Sequence, residues 1–137
     1  MSIDDVQNEI IDEFSLFDDW LDRYQYIIDL GRKLEPLAAD EMTDDALLEG
    51  CQSSVWLHVS GDADRLEFRA NSDAAIVSGL IQLLMRVYSG RSAREILDAE
   101  PRFVDELGLS EHLSPTRANG LNAMLDAIRG HARAALA

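Results

Sequence analysis

Apolar residues in the first third of the chain recur at helical spacing. They fall at every fourth position from Val6 to Phe14, among acidic residues, and a second run with a period near 3.6 covers residues 20–31. Ser2 precedes the first run, and a serine in that position caps a helix. The pattern therefore predicts two helices within residues 2–35.

The pattern changes to alternation after residue 54. Apolar residues in 55–60 occupy every second position, and after a turn at 61–64 the alternation resumes in 65–70. Such alternation on both sides of a short turn is typical of a β-hairpin with one apolar and one more polar face. His58 falls on the more polar face.

The rest of the chain is predicted to be helical. Residues 76–88 form the most hydrophobic segment, with a wide apolar stripe that predicts a central helix packed on the sheet, capped by Ser72 or Asp73. Further helices are predicted at 93–100, with Ser92 as its cap, and at 102–107. A last helix is predicted from Ser114-Pro115 onward, where a cap is followed by proline at the first helical position. Helices, a small antiparallel sheet and more helices indicate a two-layer α+β fold, and the length predicts a single domain over 1–137.

The net charge of −14 narrows the range of partners. A phosphate backbone or an anionic membrane would repel such a chain, so we expect neither nucleic acid nor a membrane as partner. The charge favours solubility or an electrostatically selected protein partner. No charged segment followed by an apolar run opens the chain, and no apolar run approaches the roughly 18 residues of a membrane span. We therefore expect a cytoplasmic protein.

Cys51 is the only cysteine and lies in a glycine- and serine-containing segment that predicts a loop before the hairpin. One cysteine excludes an internal disulfide, a cysteine-based zinc site and a two-thiol redox centre. The residues leave two interpretations open, a buried structural thiol and a reactive thiol that accepts a group. A thiolate can accept sulfur from a persulfide by the displacement chemistry of disulfide exchange.

Four segments together carry a resemblance that extends from about residue 18 to residue 128. They are residues 24–31, Gly50-Cys51-Gln52-Ser53 leading into Val55-Trp56, residues 72–77 with 79–81, and residues 112–117 with 120–121. In these segments the chain resembles the SufE-type sulfur acceptor proteins, of which the CsdE proteins are a branch.

The resemblance implies a function. Similar proteins accept persulfide sulfur from a SufS-type cysteine desulfurase, stimulate that enzyme, and pass the sulfur to a SufBCD-type scaffold that builds iron–sulfur clusters. The matching acceptor is Cys51. Pyridoxal phosphate belongs to the desulfurase, so no cofactor or metal is expected in this chain, which would act as an accessory protein rather than an enzyme with its own turnover.

The resemblance also implies structural details. The fold should be that of the IscU-type scaffolds, with residues 47–49 as a third strand and hence a three-stranded antiparallel sheet packed with helices. The resting sulfur should lie in an apolar cavity. Partner contacts are implied at Gly50, Gln52, Ser53, Asp73, His112 and Arg117.

Alternatives remain for these residues and for the function. Asp73 can instead act as an acid helping a helix cap, and His112 can hold local structure rather than move protons. Arg117 opposes the dipole of the helix whose first turn contains it. A thiol-dependent hydrolase or transferase and a regulatory binding module with a structural cysteine are the competing functions. A homodimer is also left open.

Overall fold

The computed structural model describes residues 2–48 and 54–137. Its helices and strands follow in chain order. The first half contains α1 (Ile3–Phe14), α2 (Trp20–Gly31), short 3-10 turns at Ala39–Glu41 and Asp44–Ala46, and strands β1 (Val55–Asp62) and β2 (Arg65–Ser72). The second half contains α3 (Ala75–Tyr88), α4 (Ala93–Asp98), α5 (Arg102–Glu106), α6 (Leu109–His112) and α7 (Pro115–Leu136).

Local capping residues determine where several helices begin. At α1, the Asp5 amide donates to Ser2 Oγ and the Ser2 amide donates to Asp5 Oδ2, both at 3.1 Å. Ser92 and Glu95 repeat this reciprocal pair at α4. Each pair satisfies backbone donors that the first turn of a helix leaves free. The helix starts predicted at Ser2, Ser92 and Ser114-Pro115 are therefore confirmed.

The predicted cap of α3 is wrong. Its N-cap residue is Ala74, which makes no side-chain capping bond. Strand β2 continues through Ser72, and Asp73 then lies outside the helix with its carboxylate bonded to the amide of Ser54. The acid that the sequence placed at a helix end therefore contacts the start of β1 instead.

The hairpin is confirmed, and β1 and β2 pair antiparallel from Val55 opposite Ser72 to Asp62 opposite Arg65. The third strand implied by the resemblance is not shown, since the sheet of the described residues has two strands. Leu47 forms only an isolated bridge with Trp56. The bridge is not extended toward the N-terminus because the preceding residues form the 3-10 turn Asp44–Ala46.

Helix α3 occupies the centre of the molecule, as its apolar stripe predicted. Its buried residues include Leu80, Ile81, Leu84 and Val87, all at most 1% exposed. They belong to a core cluster shared with the apolar face of the hairpin, α1, α2 and α7. Within the described residues, no helix is long and apolar enough to cross a membrane.

A half-buried ion pair joins α1 to α3. Arg86 binds both carboxylate oxygens of Glu13, at 3.0 and 2.6 Å, and the hydroxyl of Tyr26 donates to the same carboxylate. The hydrogen bond from Arg86 lowers the pKa of Glu13 below its usual range. Burial, followed by the hydrogen bond to Glu13, raises the pKa of Tyr26 to about 12. Glu13 is therefore the carboxylate that binds both the Arg86 guanidinium and the Tyr26 hydroxyl.

Glu13→Gln is expected to cost about 2 kcal/mol of unfolding free energy at pH 7, because hydrogen bonds to a charged group are lost. A carboxyl whose pKa is lower in the folded state stabilises above its unfolded pKa, and this contribution disappears as the pH falls through its folded pKa. The difference in unfolding free energy between wild type and Glu13→Gln should therefore become smaller as the pH falls below the usual pKa of a glutamate. Urea unfolding at pH 7, 5 and 3 measures it.

Glu9→Gln is the matched control for this prediction. The Glu9 carboxylate lies 4.0 Å from Arg86 and its side chain is 47% exposed, so its loss should cost less than about 1 kcal/mol. An equal cost of Glu13→Gln at pH 7 and pH 3 would contradict the assigned charge effect.

Candidate functional site

The segment with the only cysteine lies between two residues that neighbour each other in space. Cys51 and the flanking Gly50, Gln52 and Ser53 lie outside the described residues, so the loop predicted for them stays a prediction. Before that segment, the Leu48 amide donates to the carbonyl of Val55 at 2.8 Å. The chain therefore enters and leaves residues 49–53 at positions held together by a backbone hydrogen bond.

Asp73 fixes the first described residue after the segment. Its Oδ1 accepts the amide of Ser54 at 3.2 Å. This bond ties the start of β1 to the turn between β2 and α3, 19 residues further along the chain. Asp73 is thus hydrogen bonded to the residue that directly follows the undescribed segment.

A small apolar cavity lies beside the same chain ends. Its volume is about 10 Å³, enough for one water-sized atom. Aliphatic and thioether side chains line it: Leu48, Val55, Leu57, Ala70, Ile81, Leu84, Met85, Met124 and Ile128. A water molecule in such a cavity would lack hydrogen-bond partners. The sequence placed the strand residues on the apolar face of the hairpin and Ile81, Leu84 and Met85 on the apolar stripe of the central helix, but it gave no signal that they border a cavity.

His112 is held by an aromatic contact that the sequence did not reveal. Its ring stacks on Trp20 with centroids 4.2 Å apart and planes inclined by 15°. The hydroxyl of Tyr24 donates to the His112 carbonyl, 88 residues away in the chain. Gly108 has a φ of +73°, and a Cβ there would lie 3.2 Å from the His112 ring. These contacts favour the structural interpretation of His112.

Arg117 is an exposed cation in the first turn of α7. Its amide donates to Ser114 Oγ at 3.3 Å and so completes the helix cap. Its guanidinium makes no hydrogen bond or ion pair with any residue in the described ranges. Since the helix dipole disfavours a cation at this end, the structure offers no stabilising reason for the charge.

Among the described residues, the histidines and acids do not assemble into a metal site. The His58 Nε2 atom lies 2.6 Å from the carbonyl oxygen of Glu41, and the His131 ring contacts Phe68 at 6.4 Å between centroids. In the part of the chain that the structure describes, no three His, Cys, Asp or Glu residues could hold a metal ion together. The site near residues 49–53 therefore consists of a carboxylate, a hydrogen-bonded pair of chain ends and an apolar cavity.

Asp73→Ala is expected to increase hydrogen exchange of the Ser54 amide about fivefold, the ratio for one typical net hydrogen bond. Asp73→Asn keeps an acceptor oxygen and serves as the matched control, with a smaller change expected. Amide exchange followed by NMR measures both variants. Unchanged protection of Ser54 in Asp73→Ala would show that the hydrogen bond does not hold this residue in solution.

Comparison with solved structures supports the fold. The solution structure of a hypothetical protein from Thermus thermophilus superimposes with a TM-score of 0.75 and covers 96% of each chain. The two sequences are 23% identical, so this match concerns the fold. The mixed helical and antiparallel architecture is therefore one that another protein also adopts.

Sequence comparison identifies the family. The SufE family model, described as an Fe-S metabolism associated domain, matches residues 8–132. A SufE-like protein of Rhizobium etli is 45% identical over 132 residues, covering 92% of this chain and 88% of the relative. A SufE-like protein of Rhizobium meliloti is 42% identical over 135 residues, covering 94% and 96%. Both relatives are described as uncharacterized. The chain belongs to the SufE family, whose domain is associated with iron–sulfur metabolism.

Proposed function

We propose that this protein accepts sulfur on Cys51 from a cysteine desulfurase, stimulates that enzyme, and delivers the sulfur to iron–sulfur cluster assembly. The observation that carries the proposal is the position of the cysteine in a SufE-family chain. The only thiol lies in the stretch of chain between Leu48 and Val55, and both of these residues line an apolar cavity. A thiol that serves as a carrier needs no second cysteine.

The proposed transfer is a displacement at sulfur. The Cys51 thiolate attacks the terminal sulfur of a cysteine persulfide on the donor. A sulfur–sulfur bond forms to Cys51 and the sulfur–sulfur bond of the donor breaks. The donor cysteine leaves as a thiolate, and the transferred sulfur keeps its proton, or its negative charge if it is ionised. No external oxidant or reductant is required.

The cavity supports storage of the transferred sulfur. A terminal sulfur is polarisable and weakly hydrogen bonding, so a lining of methyl, methylene and thioether groups suits it better than it suits water. Met85 and Met124 contribute the thioethers. In this proposal the cavity excludes water and hydrophilic thiols from the persulfide between reception and delivery.

Two charged residues are proposed to contact the partner. Asp73 lies at the chain end next to the segment, and the exposed guanidinium of Arg117 has no bond within the described residues. We assign both to contact with the desulfurase, of the SufS type, which would hold the pyridoxal phosphate. Gly50, Gln52 and Ser53 are assigned to the same contact by their place beside Cys51, and a SufBCD-type scaffold is the proposed acceptor. One unpaired cysteine suits the reducing cytoplasm, where we place the protein.

Incubation with a cysteine desulfurase and isotopically labelled cysteine tests the proposal. Mass spectrometry is expected to detect one labelled sulfur atom on the peptide that contains Cys51. A thiol reductant should remove it, because the atom is held by a sulfur–sulfur bond. Absence of the label while the donor itself turns over would contradict the proposed function.

A further inference from the structure

Two leucines are exposed to an unusual degree where α1 meets α2. Leu16 is 80% and Leu21 79% exposed, whereas the next most exposed large apolar side chain among the described residues, Leu136, reaches 42%. Large apolar side chains exposed to this degree are candidates for contact with another protein. We name Leu16, Leu21 and the half-buried Trp20, which lie along the chain at the junction of the two helices, the α1–α2 corner.

The turn between the helices is folded into a defined shape. Arg23 Nε donates to the carbonyl of Phe17 at 3.1 Å, and its guanidinium carbon lies 5.4 Å from the centre of the Trp20 ring. These contacts hold the chain between Leu16 and Leu21 against the first turn of α2. The leucines therefore lie on either side of a turn that a hydrogen bond and a cation–π contact already hold in place, so that less conformational entropy is lost on binding.

The corner adjoins the segment that leads to α7. Trp20 stacks on His112, and the hydroxyl of Tyr24 donates to the His112 carbonyl. His112 lies shortly before Pro115, the first residue of α7, and Arg117 lies in the first turn of that helix, its guanidinium without a partner among the described residues. The stacking of Trp20 on His112 thus places the α1–α2 corner next to the segment that leads to Arg117, the cation assigned to partner contact.

The rim of the corner is acidic. Exposed carboxylates flank the two leucines along the chain at Asp12, Asp18, Asp19 and Asp22. The one base in this stretch, Arg23, is committed to the Phe17 carbonyl and the Trp20 ring. Charge complementarity therefore selects a partner with a basic rim around an apolar recess. A second copy of this chain, also at −14, would be repelled.

We infer that the α1–α2 corner is the docking surface for the sulfur-donating partner, which would carry an apolar recess bordered by basic side chains. The inference rests on the proposed function, because stimulation of the donor requires a surface that binds it beyond the reacting cysteine. Trp20, Leu16 and Leu21 serve as apolar anchors, and the acidic rim accelerates association and selects the partner.

Binding of the donor desulfurase to the full chain tests the inference, with biolayer interferometry as the measurement. Leu16→Ser with Leu21→Ser is expected to raise the dissociation constant at least about tenfold, as loss of interface anchors does. Leu136→Ser makes the same chemical change on α7 and is the matched control, with less than a twofold change expected. Asp18→Asn with Asp22→Asn should slow association and weaken its dependence on salt.

The outcomes separate this inference from the proposed function. An unchanged dissociation constant for the double leucine variant, or no binding of wild type to the donor, overturns the docking surface. If wild type acquires sulfur on Cys51 while the leucine variant binds normally, the function stands and the inference fails. If binding depends on the corner but Cys51 acquires no sulfur, the inference stands and the proposed function fails.

Discussion

Gly79→Ala is expected to lower the free energy of unfolding by at least about 3 kcal/mol, the upper range for forcing extra volume into a packed interior. A Cβ at this position would lie 2.0 Å from the carbonyl oxygen of Ile27 and 2.7 Å from its carbonyl carbon. Both are backbone atoms of α2, so no rotamer change relieves the overlap. Helices α2 and α3 would have to separate, which opens the core around Ile81. Urea unfolding measures the loss.

Gly130→Ala is the control for that prediction. Gly130 lies inside α7 and a Cβ there would meet nothing within 4 Å. Because alanine loses less backbone entropy than glycine in a helix, this change should stabilise the protein by roughly 0.5–1 kcal/mol. A similar small gain for Gly79→Ala would mean that the close approach of α2 and α3 is absent in solution.

Interactions between residues close in sequence were predictable. The caps at Ser2 and Ser92 join residues three positions apart, so the side chain and the amide it binds both appear in one short stretch of sequence. The hairpin was likewise predictable from the alternation in residues 55–60 and 65–70, because the apolar positions within each strand mark the face that is buried. Such elements need no knowledge of the remaining chain.

Contacts between distant residues were not predictable from the patterns. The Asp73 carboxylate could serve a helix cap or a distant amide equally well, and only the approach of Ser54 decides between them. The stacking of Trp20 on His112 joins residues from opposite ends of the chain, and both residue types also occur singly in ordinary cores and surfaces. Gly79 gave no signal beyond its place in a motif, although only glycine fits against α2.

The same distinction applies to the candidate site, of which one part could be predicted from the sequence and the other depends on contacts between distant residues. Cys51 became the candidate from sequence because a single thiol in a polar, glycine-containing segment stands out chemically, while its role as sulfur acceptor came from the resemblance and stays a prediction. The cavity that supports its proposed role is built from β1, β2, α3, α7 and Leu48, and its members look like any other core residues in the sequence. The residues at 46–49 allowed either the end of a helical turn or a short strand, and the resemblance favoured the strand; within the described residues it amounts to the Leu47–Trp56 bridge.

Cys51→Ser is expected to abolish sulfur acceptance and stimulation of the desulfurase completely. A serine hydroxyl is close to isosteric with the thiol, but it stays protonated at neutral pH and does not attack a persulfide. Since the chain has no second thiol, nothing can substitute for Cys51. The measurements are sulfide release by the desulfurase with saturating acceptor protein and the label on the acceptor after incubation with labelled cysteine.

The same variant distinguishes the competing functions. Its urea midpoint should stay close to that of wild type, and it should still bind the donor through Leu16 and Leu21, because neither leucine takes part in the chemistry. Full stimulation by Cys51→Ser would instead identify a regulatory binding module with a structural cysteine. Hydrolytic turnover by wild type without any partner, lost in Cys51→Ser, would identify a thiol-dependent enzyme. Normal docking of Cys51→Ser, with loss of both the sulfur label and the stimulation that wild type shows, is the result that a carrier acting through Cys51 predicts.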